Sequence, residues 1–203
     1  MSQEKLNFKP RILGIAGSPR REGNSDILLR EALAGVAASR EAQIKKVVLS
    51  ELNISPCRHC GGCVKTGKCV IEDDMQWLHT DLRETDYFII ASPIFFMGIT
   101  AQTKAMIDRC QALWILKEVL KLEVAANSGE ERKGLFISVG GARLSNLFQP
   151  AVVTVKSWFN TLDITYNGEL FFPGVDGKGA IVQHPTALAD AFAAGQKLVS
   201  SRS

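Results

Sequence analysis

The feature of this sequence that most constrains its fold is a regular alternation between short apolar runs and longer segments with helical periodicity. The runs are rich in β-branched residues and end at glycine, proline or polar residues, which is typical of buried strands. The five predicted strands span residues 11–16, 44–49, 87–91, 134–139 and 164–172. The helices predicted to follow them begin near residues 24, 73, 100, 146 and 186 and end near residues 36, 83, 122, 159 and 199. Pro150 is expected to break or kink the fourth helix close to its start.

This alternation predicts an α/β domain with a doubly wound, five-stranded parallel sheet and helices on both faces. Five strands fit the flavodoxin-like order 2-1-3-4-5. The chain has 203 residues, which suits one domain, and no linker or internal repeat divides it. We therefore predict a single domain over residues 1–203, with a cysteine-rich loop at residues 55–72 inserted after the second strand.

Charge and hydropathy exclude two classes of partner. A formal net charge of +3, with lysines and arginines in pairs rather than in a stripe, does not favour nucleic-acid binding. No run of eighteen apolar residues is present, so no membrane-spanning segment is predicted. The segment from Met1 to Pro10 is polar and lacks the apolar stretch of a secretory signal. We expect a cytoplasmic protein.

The loop after the first strand is a candidate anion site. In a sheet of this order, ligands bind at the carboxyl ends of the strands, near the switch point between the first and third strands. This loop, GSPRREGNS, combines glycines that permit close backbone approach with the free N–H groups of the next helix. It matches neither the dinucleotide pattern nor the P-loop pattern, so a monophosphate is favoured. The alternative is an ordinary polar turn with helix caps. The candidate phosphate-binding residues are Ser18, Arg20, Asn24 and Ser25.

The loop after the third strand is apolar and supplies a candidate surface for a planar ring. Such a ring needs apolar side chains to pack on and backbone groups to bond its edge. The alternative is a hydrophobic loop packed under its own helix. Arg143 either neutralises negative charge on such a ring, if the ring is one that can be reduced, or is a solvated side chain. The candidate residues are Pro93, Ile94, Phe95, Phe96, Met97 and Gly98, with Gly140 and Gly141 after the fourth strand.

Four of the five cysteines fall within thirteen residues, in the pattern Cys57-x2-Cys60-x2-Cys63-x5-Cys69. An exported disulfide framework would spread its cysteines along the chain. Thiolates separated by two residues can converge on one centre, and iron–sulfur ligands of bacterial ferredoxins have a related spacing. We predict that these four cysteines bind a [4Fe–4S] cluster; a zinc site and free thiols are the alternatives. Cys110 lies in a helical pattern and is predicted to be a buried small apolar residue.

The segments GSPRREGNS and SPIFFMG…QTKAMIDR resemble the NADPH-dependent FMN reductases and the related iron-sulfur flavoproteins. The resemblance covers about residues 11–109. It implies FMN, with its phosphate at the four residues named after the first strand and its ring against residues 93–98. In iron-sulfur flavoproteins a compact cysteine motif lies in the same place, and dimers or tetramers bring one subunit's cluster to another's flavin. Lys104, Asp108 and Arg109 also fit the family pattern, and we interpret them as helix and interface ion pairs.

The first functional hypothesis is an iron-sulfur flavoprotein, an oxidoreductase that passes electrons between a [4Fe–4S] cluster and FMN. Its electron donor would be NAD(P)H or a ferredoxin-like protein, and it would form a homo-oligomer. The second is an NAD(P)H-dependent FMN or quinone reductase whose cysteine loop binds zinc or nothing. The third is a non-enzymatic FMN electron carrier. No side chain is assigned a catalytic role, because His79 and His184 have no recognisable nucleophile nearby and the cofactors would carry the reactivity.

Overall fold

The computed structural model describes residues 9–126 and 131–200. A five-stranded parallel sheet with the order β2-β1-β3-β4-β5 forms its centre. The predicted strand order is therefore confirmed, and the strand ends differ from the predicted ones by at most two residues. The strands are β1 (Arg11–Ala16), β2 (Gln43–Val48), β3 (Tyr87–Pro93), β4 (Lys133–Gly140) and β5 (Thr165–Pro173).

Helices cover both faces of the sheet, as a doubly wound fold requires. The strands β1, β3 and β4 lie in the middle and are almost entirely buried, whereas β2 and β5 form the edges. Two apolar cores result, one on each face. Helices α1 (Asn24–Ser39) and α6 (Ala187–Val199) pack on one face; on the other lie α2 (Met75–Glu84), α3 (Ala101–Arg109), α4 (Gln111–Trp114) and α5 (Gln149–Thr161).

The long helix predicted over residues 100–122 is wrong as a continuous element. It is divided into α3, α4 and a π-helical turn at Ile115–Val119. At the break, the N–H of Cys110 donates to the carbonyl oxygen of Ile107 at 3.0 Å. The carbonyl of Met106 instead accepts from the Cys110 thiol at 3.5 Å. The chain tightens at this residue because a three-residue hydrogen bond replaces the four-residue one.

Pro150 does not break a helix, contrary to the sequence-based expectation. Helix α5 begins at Gln149, later than predicted, and the proline occupies its first turn. A proline is tolerated there because the first N–H groups of a helix have no partner inside it.

The cysteine segment lies where it was predicted, between β2 and α2. A short 3-10 turn at Leu49–Glu51 precedes it. Within the ranges described, no helix has the length and apolar character needed to cross a membrane. The prediction that the first ten residues lack a secretory signal falls mostly outside the described residues.

Candidate functional site

A cavity of about 60 Å³ lies at the carboxyl edge of the sheet, where four loops meet. Its enclosed part suits one small polar group, so a larger ligand would extend from it over the open edge. The structure brings together most of the candidate residues from the three predicted loops. Those that line the cavity are Ser18, Arg20, Asn24, Ser25, Pro93, Ile94, Phe95, Gly140 and Gly141.

The first loop ends at the start of α1, where the buried residues Asn24 and Ser25 form part of the cavity wall. The first bond inside the helix runs from the N–H of Ile27 to the carbonyl of Gly23 at 3.0 Å. The N–H groups of Asn24 and Ser25 come before it and have no acceptor within the helix. Ser18 accepts a hydrogen bond from the N–H of Arg20 at 3.1 Å, which folds the loop over the helix start. Such a helix start attracts an anion.

The side chain of Asn24 is hydrogen-bonded to the loop after β5, which was not among the three predicted loops. Its side-chain amide donates to the carbonyl of Gly177 at 2.8 Å, and its side-chain oxygen accepts from the N–H of Ile181 at 3.2 Å. These bonds hold the segment after β5 against the cavity, which it lines with Val175, Asp176 and Lys178. The sheet topology could have revealed this loop. In a parallel sheet the carboxyl end of β5 lies at the same edge as those of β1, β3 and β4.

The loop after β3 is divided between the cavity and the solvent. Phe95 and Gly98 exchange two backbone hydrogen bonds, of 2.9 and 3.0 Å, across a tight turn. Phe96 and Met97 form the tip with positive φ angles of 48° and 67°, a conformation that is costly for side chains of this size. Phe96 is fully exposed, and none of Phe96, Met97 and Gly98 lines the cavity. An apolar tip in solvent next to a cavity is a surface that a ligand or a second protein can cover.

Buried hydroxyl groups that the sequence analysis did not single out tie these loops to the sheet. Thr100, which caps α3, donates to the carbonyl of Gly17 at 2.5 Å, and its N–H donates to the Ser92 hydroxyl at 3.2 Å. Ser138 in β4 donates to the carbonyl of Ser92 at 2.7 Å. The three strands that flank the switch point are thereby held in fixed relative positions at their carboxyl ends.

The loop after β4 contacts the loop after β5. Gly141 lies so close to Asp176 that a Cβ on the glycine would be 3.2 Å from the Cβ of Asp176. Arg143 packs over Gly174, whose φ of 74° and lack of a side chain make room for the guanidinium group. Arg143 does not line the cavity.

The four clustered cysteines all have free thiols and occupy the loop between β2 and α2. Cys60 is exposed, and the other three are partly buried. Burial raises the pKa of the Cys63 thiol, and the neighbouring thiols of Cys69, Cys57 and Cys60 raise it further. Cys63 is thus an electrostatic neighbour of the other three thiols. Among residues 9–126 and 131–200, however, no three His, Cys, Asp or Glu side chains are arranged as a ready-made metal site.

Arg109 and Asp73 form a buried ion pair below this loop, with Nη1 of the arginine 2.6 Å from Oδ2 of the aspartate. Burial favours the neutral acid, but the hydrogen bonds from Arg109 prevail and lower the pKa of Asp73. The predicted role of Arg109 in an ion pair is confirmed, although its partner lies in its own chain. Lys104 and Asp108 form a separate, exposed pair at 2.7 Å along α3.

Cys110 and His79 are buried away from the cavity. Cys110 is only 2% exposed, as predicted, and its sulfur accepts a hydrogen bond from the Trp158 indole at 3.3 Å. Burial raises the pKa of this thiol to about 12. His79 lies with Nε2 3.1 Å from the carbonyl oxygen of Arg109, and burial lowers its pKa to about 4. Both groups are neutral at physiological pH.

The strand order and the cavity at the carboxyl edge define a flavodoxin-like α/β protein. The chain belongs to the NADPH-dependent FMN reductase family, whose model matches residues 10–166.

Individual relatives of this chain are named iron-sulfur flavoproteins. The chain is 38% identical over 105 residues to an iron-sulfur flavoprotein of Methanocaldococcus jannaschii, covering 52% of this chain and about half, 54%, of that protein. It is 35% identical over 150 residues to the iron-sulfur flavoprotein of Methanosarcina thermophila, covering 74% of this chain and 73% of that protein. Among solved structures, an NAD(P)H:quinone oxidoreductase from Methanothermobacter marburgensis has the same fold, with a TM-score of 0.66 and 14% identity over 97% of this chain and 100% of that one.

Proposed function

We propose that this chain is an iron-sulfur flavoprotein that binds FMN at the carboxyl edge of its sheet and a [4Fe–4S] cluster in the loop between β2 and α2. It would act as an oxidoreductase that passes electrons between the two groups. The observation that supports this most strongly is the coexistence of a phosphate-sized cavity at the switch point with four neighbouring thiols within one loop.

The residues around the cavity fit FMN. Its phosphate would accept hydrogen bonds from the first N–H groups of α1 and the hydroxyl groups of Ser18 and Ser25, and Arg20 and Lys178 would supply positive charge. The carboxylate of Asp176 opposes this charge only in part. Pro93, Ile94 and Phe95 would form the surface for the isoalloxazine ring, with Gly140 and Gly141 on the neighbouring loop. When bound, FMN supplies one- and two-electron redox chemistry.

The cysteine loop fits a four-iron cluster in the type and number of its donors. Cysteine thiolates are the usual ligands of such clusters, and the loop carries four cysteines, of which Cys63 interacts electrostatically with the other three. Gly61 and Gly67 adopt positive φ angles of 73° and 67°, so the backbone turns sharply between the ligands. Cys57, Cys60, Cys63 and Cys69 would hold the cluster, which supplies single-electron transfer. The names of the relatives support the same assignment.

Purification without oxygen, followed by absorbance spectroscopy and iron, zinc and flavin analysis, tests this proposal. We expect about four irons per chain, broad absorbance at about 400 nm and stoichiometric FMN. A yellow protein that contains zinc, or no metal, would reject the cluster. A protein that contains no flavin and takes up none from excess FMN would reject the flavin site.

A second candidate function is an NAD(P)H-dependent FMN or quinone reductase without a cluster. It is favoured by one observation, namely that the described cysteines do not form a ready-made metal site. The rate at which NADPH bleaches the bound flavin separates the possible donors. Fast bleaching supports a reductase, whereas slow bleaching by NADPH with fast bleaching by reduced ferredoxin supports a ferredoxin-like donor. If neither NADPH nor reduced ferredoxin bleaches the flavin, and the protein exchanges electrons only with other redox proteins, it would be an FMN carrier.

We also propose that the protein is a homo-oligomer. A groove of about 590 Å³ runs between α3, α4 and α5 and reaches Cys57 and His59 at the cysteine loop. Trp114 and Val153 line it and are 42% and 68% exposed. A second copy that covers these exposed apolar side chains would also contact the cysteine loop, which lines the same groove. Sedimentation of the purified protein tests this proposal, since a monomer at micromolar concentration would reject it.

A further inference from the structure

Arg109 lies beneath the cysteine loop, with a side chain that is completely buried. Its Nη1 donates to the carbonyl of Ser55 at 2.8 Å and to Oδ2 of Asp73 at 2.6 Å. Its Nη2 donates to the carbonyl of Ile71 at 3.3 Å and to Oδ1 of Asp73 at 3.0 Å. The two terminal nitrogens therefore use all four of their N–H groups.

The acceptors of these bonds stand at the two ends of the cysteine loop. Ser55 comes two residues before Cys57, and Ile71 comes two residues after Cys69. Asp73 reinforces the closure, because its Oδ2 also accepts from the N–H of Ser55 at 2.9 Å. One guanidinium group from α3 thus joins the beginning and the end of the loop, and the segment that carries all four thiols extends from this junction.

The fifth donor of Arg109 is not used. Its Nε is buried and makes no hydrogen bond of ordinary geometry within the described part of the chain. A buried N–H group without an acceptor costs free energy, so its persistence in a structure needs a reason. Burial lowers the pKa of Arg109, but interactions with the side chains of Asp73 and Cys69 outweigh it and raise the pKa, so the Cys69 sulfur lies beside the guanidinium group.

We propose that Arg109 is the positioning residue of the cysteine loop: it closes the loop at its base and supplies its remaining donor to the sulfur of Cys69 when that thiolate is a cluster ligand. Only the hydrogen bond to the Cys69 sulfur rests on the proposed function; the closure of the loop does not. A hydrogen bond to a ligand sulfur stabilises the more negative, reduced cluster and therefore raises its reduction potential. An arginine is required because a lysine keeps the charge but cannot reach four acceptors as a planar fork.

The first test uses the full-length protein stripped of metal, so that it does not depend on the cluster. The loop carries exposed trypsin sites at Arg58, Lys65 and Lys68. We expect Arg109→Lys to be cleaved at these sites several-fold faster than the unmodified protein. The matched control is Arg132→Lys, which changes another buried arginine, bound to the carbonyls of Leu82, Thr85 and Leu162 far from the loop. Equal cleavage in Arg109→Lys and Arg132→Lys would overturn the proposal.

The second test uses the cluster-loaded protein. Arg109→Lys should lose iron to a chelator about tenfold faster than Arg132→Lys, the usual scale for losing a group that supports a metal ligand. The midpoint potential of the iron that remains, followed by electron paramagnetic resonance, should become more negative. A residue with a purely structural role would leave this potential unchanged, and that result would overturn the assignment of the fifth donor.

Asp73→Asn keeps the test decisive if Arg109→Lys does not fold. This variant retains every donor of Arg109 but removes the charge that balances it. The potential of the cluster should then become more positive, and an unchanged potential would count against the proposal. If the unmodified protein binds no iron, the proposed cluster and the role at Cys69 are both rejected, and the cleavage test still decides whether Arg109 closes the loop.

Discussion

Gly17 and Thr103 are packed so closely that a Cβ on the glycine would lie 2.1 Å from the Oγ1 of the threonine. Gly17 follows β1 directly, and Thr103 lies in the first turn of α3, where its hydroxyl is 2.9 Å from that of Thr100. The carbonyl of Gly17 is itself the acceptor for Thr100. The start of the candidate phosphate loop is therefore fixed against the start of α3, and no larger residue fits between them.

Gly17→Ala should destabilise the protein by about 1–3 kcal/mol, the usual cost of overpacking a tight site. Thermal unfolding followed by circular dichroism measures the change. Gly168→Ala is the matched control, because a Cβ there would meet its nearest neighbour at an ordinary 3.7 Å. An equal melting temperature for the two variants would show that the contact at Gly17 relaxes without cost.

Arg20→Ala should weaken FMN binding by about tenfold. This is the effect of losing one of the weaker hydrogen bonds to a charged group. Arg21→Ala is the control, because Arg21 points to Glu51 at 3.1 Å and does not line the cavity. Titration followed by flavin fluorescence measures both affinities. Riboflavin, which lacks the phosphate, should bind Arg20→Ala and the unmodified protein equally well. A loss of riboflavin affinity in Arg20→Ala would place the arginine at another part of the ligand.

Cys60→Ser should remove most of the iron and leave FMN binding largely intact, because the cysteine loop does not line the candidate flavin cavity. Cys110→Ala is the control, since that thiol is buried beside Trp158 and is expected to bind no iron. Iron and flavin are measured on the same anaerobic preparation. Loss of both groups in Cys60→Ser would mean that the loop also builds the flavin site.

His79 should make the protein sensitive to acid. Its pKa is lowered to about 4 by burial, whereas an unfolded chain has a histidine pKa of about 6.5. The unfolded state therefore takes up a proton first, and the stability present above about pH 6.5 is lost as the pH falls toward 4, by about 3 kcal/mol for this group. Denaturant unfolding at pH 7 and pH 4.5 should show a smaller loss for His79→Gln than for the unmodified protein. Equal losses of stability in the two proteins would show that His79 does not cause the sensitivity to acid.

Val153→Glu should dissociate the proposed homo-oligomer, because it places a charge on the exposed apolar wall of the groove. Ile44→Glu is the control, since Ile44 is 39% exposed but lies on the edge strand β2, away from that groove. Sedimentation velocity measures the assembly, and the melting temperature shows whether each variant is folded. An assembly that survives Val153→Glu and dissociates in Ile44→Glu would place the interface at the sheet edge.

The long-range contacts of the cysteine loop were not predictable from local patterns. Arg109 and Asp73 are separated by 36 positions. The sequence predicted a helix or interface ion pair for Arg109 and a helix start near residue 73. Asp73 does accept a hydrogen bond from the N–H of Met75, the first residue of α2, at 3.0 Å. Its second role exists only because the fold places α3 beneath the loop.

Local pattern alone determined the five strands and three of the loops at the carboxyl edge, because apolar periodicity reports burial and a parallel sheet gathers its strand ends. The strand order was predicted from its fit to a known arrangement, and the pairing of the strands confirmed it. Only the tertiary structure decided that Phe96 points into solvent, that the helix after β3 is broken at Cys110, and that Asn24 holds the loop after β5. The physical reason is the same in each case. A turn tip, a helix break or an amide partner depends on atoms brought from distant parts of the chain, and residue type sets only what each side chain is able to bond.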